Sequence, residues 1–237
     1  MSIRRTTYDK GYFESVFFRS RPNSPRNRNR LELILANKPM GKLLEIGPAK
    51  GEFLQLAASH FEVWGFEISS YAASRLPAPL RARAVVGDVE KSPLPDPPFD
   101  VIAAFNLLEH LHRPFPAIQK IFDALAPTGI FVGSVPCNGG LVGTVLSALT
   151  DFYDRTHVSN ERIGKWQENF QHAGFEEIQL FGEVMIGPNH SKYIYDRLWR
   201  YISFNMMFLC RKSELGAVGD PEPDQSGGWS NPTAQLG

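Results

Sequence analysis

The chain is poor in cysteine. Cys137 and Cys210 are the only two in 237 residues, far apart and without a C-x-x-C pair. That argues against a disulfide framework and against a structural zinc centre. Two isolated thiols read as buried, reduced residues of a cytoplasmic protein. An excess of either charge is also missing, because Lys plus Arg and Asp plus Glu both total 25. A surface built for nucleic acid normally carries a basic excess that neutralises phosphates, so a nucleic-acid partner is disfavoured. Long apolar runs are absent as well. The longest lies near Leu141 to Leu149 and falls well short of the ~20 residues of a membrane span. Charges interrupt the N-terminal stretch MSIRRTTYDKGYFESVFF too often for a secretory signal. No internal repeat is visible.

What is present is an ordinary globular composition, 43% apolar and 21% charged, at a length suited to one domain with additions. Residues 1–40 are polar and arginine-rich with embedded aromatics, and read as an N-terminal capping segment. Residues 41–212 alternate strand-like and helix-like stretches. Residues 213–237 are rich in Gly, Pro, Ser, Asp and Gln and read as a disordered tail. Period and punctuation place strands at Lys42–Ile46, Glu62–Phe66, Ala82–Val86, Phe99–Phe105, Gly129–Val135, Phe175–Leu180 and Ile202–Leu209. Helices fall at Glu52–His60, Ser69–Arg75, Pro114–Leu125 and Asn160–His172, the last with Ser159 as N-cap and Gly174 as stop. Ser24-Pro25 reads as cap and first turn of a helix through Ala36. Strands joined by helical crossovers imply an α/β fold, a doubly wound parallel sheet with helices on both faces. Ligands of such sheets bind beyond the carboxyl ends of the strands, where strand order reverses.

The first strand runs into Glu45-Ile46-Gly47-Pro48-Ala49-Lys50-Gly51. Small residues at 47, 49 and 51 allow a sharp turn and close approach to a ligand. The following helix aims its free N–H groups at the same place. Twenty residues after Gly47, Glu67 ends the second strand, where a carboxylate accepts hydrogen bonds from both hydroxyls of a ribose. The dinucleotide fingerprint G-x-G-x-x-G would need glycine at 49 and 52. Ala49 and Glu52 stand there instead, which disfavours a pyrophosphate and a nicotinamide oxidoreductase. Glu45 suits a ligand carrying a cationic amino group.

Glu45-x-Gly47-x-x-x-Gly51 resembles motif I of the class I S-adenosylmethionine-dependent methyltransferases. Gly87-Asp88-Val89 resembles their adenine-binding turn. Phe99-Asp100-Val101-Ile102 with Asn106-Leu107-Leu108-Glu109-His110-Leu111 resembles the segment after their fourth strand, and Trp166 to Phe175 their last crossover helix. The resemblance spans about residues 41–212. It implies a Rossmann-like sheet of seven strands with the last antiparallel, and S-adenosyl-L-methionine as cofactor. It further implies Glu67 on the ribose with Ile68 beside it, Asp88 and the Val89 N–H on adenine, and the loop of Gly47, Pro48, Ala49 and Gly51 on the methionine portion. The middle glycine of the common loop is here Ala49.

Transfer of a methyl to a hydroxyl needs a positioned nucleophile and a base, for which histidine is the usual group near neutral pH. His110, after the fourth strand, is the leading candidate, and His157, after the fifth, the second. Some related O-methyltransferases carry an E-x-x-E-H metal site at this position. Asn106 replaces the first carboxylate and is a poorer ligand for a hard cation, so no metal is expected. Asn106 is expected instead at the amino-acid end of the cofactor. In the N-terminal segment Tyr12, Arg19 and Arg21 are candidates for gripping an acidic substrate group. The acceptor implied is a small molecule or glycan-like compound methylated on O or N. The alternatives are an RNA or protein methyltransferase that uses the arginine cluster, and a cofactor-binding module without catalysis.

Overall fold

The computed structural model describes Tyr8, Lys10 and residues 21–137, 157–159, 161–187 and 190–214. Its first element in this range, α1, spans Pro25–Asn37. The Ser24 hydroxyl accepts the Asn27 N–H at 3.2 Å, and Pro25 opens the first turn, as the Ser-Pro pair predicts. Then follow β1 (Gly41–Ile46), α2 (Glu52–Ala57), β2 (Phe61–Glu67), α3 (Ser70–Arg75), α4 (Ala78–Arg81), β3 (Ala84–Val86) and β4 (Phe99–Phe105). A 3₁₀ turn at Leu108–His110 leads to α5 (Pro114–Ala124) and β5 (Leu125–Pro136). The chain closes with α6 (Ile163–His172), β6 (Glu177–Gly187), β7 (His190–Ile194), α7 (Trp199–Ile202) and β8 (Asn205–Arg211).

One sheet of order β3-β2-β1-β4-β5-β8-β6-β7 organises the chain. The first five strands are parallel, and β8 runs antiparallel between β5 and β6. Order reverses between β1 and β4, so their carboxyl ends frame the crevice. Successive residues of one strand serve opposite faces: Leu43, Val101 and Ala103 lie in one apolar cluster, Leu44, Ile102 and Ala104 in the other. Burial on both faces explains why these strands read as continuous apolar runs. On one face α1 contributes Leu31 and Ile34 to the core.

Seven strands were expected and eight are described. The additional one, β7, pairs antiparallel with the edge of an unexpectedly long β6. The His190 to Tyr193 segment has too few apolar residues to signal a strand. Tertiary contact holds it instead, including the Asn29 amide of α1 donating to the Ser191 carbonyl at 2.6 Å. Helix α6 starts at Ile163 with no side-chain cap. Ser159, the expected cap, spends its hydroxyl on the Leu111 carbonyl at 2.6 Å. The third strand is shorter than expected because a turn of helix, α4, precedes it. The last begins at Asn205 because Ile202 ends α7. Gly174 does stop α6, at φ 103°. The two cysteines are buried and not joined, and no described helix is long and apolar enough to cross a membrane.

Candidate active site

The loop after β1 takes the left-handed conformation at alternate residues: Gly47 at φ 73°, Ala49 at 51° and Gly51 at 74°. A side chain at Gly51 would meet the Leu76 Cδ2 at 2.5 Å, so only glycine satisfies both conformation and space there. Ala49 accepts the same conformation with a methyl group, which packs with Ala72, Tyr8 and Tyr71.

Glu67 ends β2 at the loop. One carboxylate oxygen accepts the Ala49 N–H at 3.0 Å and the other the Ser69 N–H at 2.9 Å. The carboxylate thus positions the loop, and each oxygen keeps a second lone pair for a ligand hydroxyl. Burial pushes this carboxyl above the usual range, while the N–H groups of Ser69, Ala49 and Ile68 oppose the shift. Ile68 is exposed beside it. The Ser69 hydroxyl donates to the Tyr8 carbonyl at 2.7 Å, which draws the N-terminal chain against the loop.

Asp88 follows β3. One oxygen accepts the Glu90 N–H at 2.9 Å and the other the Lys91 Nζ at 2.5 Å. Partial burial would raise this carboxyl, but Lys91 and the Glu90 N–H outweigh it and hold it below its ordinary value. The Val89 side chain is buried in the core, which fixes the backbone of the turn.

After β4, Asn106 sits at φ 51°. Its Oδ1 accepts the Ser134 hydroxyl at 2.8 Å, and its Nδ2 donates to Asn205 Oδ1 at 3.4 Å. Asn205 donates in turn to Glu183 at 3.0 Å, and Arg26 grips Glu183 with Nε at 2.9 Å and Nη2 at 2.5 Å. Burial alone would raise the Glu183 carboxyl, but Arg26, followed by Arg30 and Asn205, lowers it to about 2.

The 3₁₀ turn carries Glu109 and His110. The Glu109 carbonyl accepts N–H groups of Val158 and Ser159, each at 2.9 Å. These bonds, with the Ser159 hydroxyl on Leu111, fasten the segment after β5 to the end of β4. The His110 and His157 rings consequently lie edge to face at 4.9 Å between centroids. Tyr8 approaches His110 from another side at 6.4 Å. Glu109, His110 and His157 each offer a ligand atom, all within 4.8 Å of one another. His112, by contrast, is directed to Glu90 at 3.8 Å.

The predicted loop, Glu67, Asp88, Asn106 and the two histidines therefore all lie beyond the carboxyl ends of the parallel strands. Arg21 is exposed, with its carbonyl accepting from Ser24 and Asn27. Tyr12 and Arg19 lie outside the described residues. Sequence reasoning missed Glu183, Asn205, the pairing of Arg26 with Glu183 and the interior placement of Arg30. The available signal was a polar residue interrupting each of two apolar strands, FGEVMIG and NMMFLC. A surface hollow of 340 Å³ between Pro114, Phe115, Lys165 and His172 contains none of these site residues.

A loop of left-handed residues, a buried carboxylate that holds it and an aspartate turn are thus arranged at the switch point of a Rossmann-like sheet. A methyltransferase-domain family model matches residues 18–180, more than half of the chain, and the chain belongs to that family. It is an S-adenosyl-L-methionine-dependent methyltransferase. Among curated proteins nothing matches. Solved structures share the fold. An S-adenosylmethionine-dependent methyltransferase from Archaeoglobus fulgidus is 18% identical, with TM-score 0.63 over 86% of this chain and 100% of the other. One from Thermotoga maritima is 18% identical, with TM-score 0.62 over 79% and 89%. The Haemonchus contortus phosphoethanolamine N-methyltransferase 2, in complex with S-adenosyl-L-methionine, is 15% identical, with TM-score 0.58 over 78% and 52%.

Proposed function

We propose that the enzyme methylates O or N of a small-molecule or glycan-like acceptor, with His110 as general base and His157 beside it. The observation that carries this reading is the fastening of the His157 segment to Glu109, which brings both imidazoles together beyond the carboxyl end of β4. The sulfonium cofactor supplies an already activated methyl group. The protein's task is to place and deprotonate the nucleophile, and fixed imidazoles suit both. Glu67 takes the ribose hydroxyls, Asp88 and the Val89 N–H take adenine, and Gly47, Pro48, Ala49, Gly51 and Glu45 surround the methionine portion. Ile68 covers the nucleoside from its exposed position. Asn106 lies next to the amino-acid end, held by Ser134 and Asn205. Tyr12, Arg19 and Arg21 remain proposed acceptor contacts on the covering segment.

The N-terminal arginines support a small acceptor better than RNA. Arg26 is spent on Glu183, Arg28 on Asn23 at 2.8 and 3.1 Å, and Arg30 on the interior. Among the described residues of this segment Arg21 and Arg28 stay exposed, two cations rather than a continuous basic stripe. Transfer of label from methyl-labelled cofactor in a cell extract tests this. Label is expected in the low-molecular-weight fraction, with loss in His110→Ala, whereas label confined to RNA or protein would overturn the proposal. A second reading rests on Glu109, His110 and His157 as ligands of a late first-row divalent ion, which would acidify an acceptor hydroxyl directly. Stoichiometric metal in the purified full chain, lost in His157→Ala, would favour it over the base.

A further inference from the structure

The hollow of 340 Å³ between the start of α5 and the outer face of α6 holds none of the residues of the candidate active site. Glu161, Lys165, Asn169 and His172 follow one another at three- and four-residue steps, so α6 and its lead-in present them along one face. Arg113, Pro114 and Phe115 belong to the opposite wall. The walls meet where the His172 imidazole stands edge to face with the Phe115 ring, at 6.5 Å. Helix α5 has no side-chain cap and no acid in its first turn, so its positive end is uncompensated at this wall.

Asn169 is the most buried polar residue of the lining, 6% exposed. Its backbone carbonyl accepts the Ala173 N–H at 3.1 Å, but its side-chain amide has no partner among the described residues. A buried amide left open is costly, and a ligand oxygen removes that cost. The surrounding charge is mainly positive. The Arg113 N–H donates to Glu90 at 2.7 Å, while its exposed guanidinium enters no ion pair among the described residues. Lys165 reaches Glu168 at 3.2 Å, both half exposed, a pairing that holds the ammonium only weakly. Phe115 turns 39% of its surface to water, an aromatic face beside the cations.

We propose that this hollow is a second binding site, for a small organic phosphate whose apolar body rests on Phe115 and Pro114. Arg113, Lys165 and His172 serve the phosphate oxygens, and the Asn169 amide donates to one of them. A guanidinium, an ammonium and an amide from two walls suit a tetrahedral group close to a dianion, whereas a planar carboxylate is served by one fork. Glu161 leaves the lining an acceptor for a donor on the ligand body. A volume of 340 Å³ lies at the small end of ligand pockets, roughly 300–1,000 Å³. Arg113 stands three residues after His110 and Glu161 four after His157. A bound ligand therefore spans the two segments that the Glu109 carbonyl fastens together. The site goes beyond methyl transfer and stands whatever the acceptor is.

Calorimetry on the full chain with phenyl phosphate, inorganic phosphate and benzoate tests the assignment. Wild type is expected to bind phenyl phosphate in the millimolar range or tighter, and more tightly than the other two. Inorganic phosphate lacks the ring, and benzoate lacks the second charge. Arg113→Ala combined with Lys165→Ala, both exposed positions, is expected to weaken phenyl phosphate at least ~10-fold, the scale of one charge-assisted hydrogen bond. Phe115→Ala is expected to bring phenyl phosphate down to the affinity of inorganic phosphate. Asn169→Asp replaces the amide by a carboxylate of the same shape, and is expected to weaken both phosphates by like-charge repulsion. Absence of phenyl phosphate binding to wild type at millimolar concentration would overturn the proposal, as would benzoate binding equally well. Unchanged affinity in the Arg113→Ala, Lys165→Ala protein would place the binding elsewhere and overturn it too.

Discussion

Burial holds the Glu45 carboxyl protonated up to about pH 8, against an ordinary 4.5. Between those values the folded chain keeps a proton that the unfolded chain releases. Stability of the ligand-free protein should therefore fall as pH rises from about 4.5 to 8. A Glu45→Gln variant should flatten that slope in thermal melts recorded across the range; an unchanged slope would show that Glu45 is not its source. A ligand ammonium beside Glu45 favours the ionised form, so S-adenosylhomocysteine binding near pH 7 should release a proton. Calorimetry in buffers of different ionisation enthalpy reads this directly, and Glu45→Gln should abolish it. At the other end of the site, His110→Ala should lower kcat by roughly 10²- to 10⁴-fold, as expected for loss of a general base. Cofactor affinity should change little, and single-turnover kinetics with calorimetry separate the two. The positions of these residues were legible in the sequence, Glu45 near the end of the first strand and His110 just after the fourth. The partners of Arg30 and Glu183 were not, since a helix and two strands distant in sequence must meet before those charges acquire a meaning.

Among the elements, the β1–α2 loop was the most legible, because left-handed backbone at closely spaced positions leaves a trace of small residues. Gly51→Ala should destabilise the fold by ~1–2 kcal/mol from conformation alone, with a further cost from the Leu76 contact at 2.5 Å. Ala49→Gly should not destabilise beyond the ~0.4–1 kcal/mol that glycine adds to unfolded-chain entropy. Urea denaturation of the two variants should rank them in that order. β7 and the start of α6 were misread for the same reason. Their local sequence is ambiguous, and tertiary hydrogen bonds from Asn29 to Ser191 and from Ser159 to Leu111 settle it. The latter bond also joins the His157 segment to the active site, so the structural misreading and the functional geometry share one cause.

For the whole molecule, the Arg26–Glu183 pair joins the first helix to the far half of the sheet. Glu183 is lowered to about 2, so its contribution is complete above about 4.5 and is lost as pH falls toward 2. Acid unfolding monitored by circular dichroism should begin within this window. Glu183→Leu with Arg26→Met should shift it to lower pH, while Glu183→Gln alone should cost on the order of 3–5 kcal/mol at neutral pH by leaving Arg26 uncompensated. The cofactor assignment unites loop, strand ends and family membership, and it converges on one carboxylate. Calorimetric titration of S-adenosylhomocysteine into wild type and Glu67→Ala tests it most directly. Binding to wild type is predicted, with a loss of about 2–3 kcal/mol in the variant, the scale of hydrogen bonds to a charged group. Undiminished affinity in a folded Glu67→Ala protein would contradict the account.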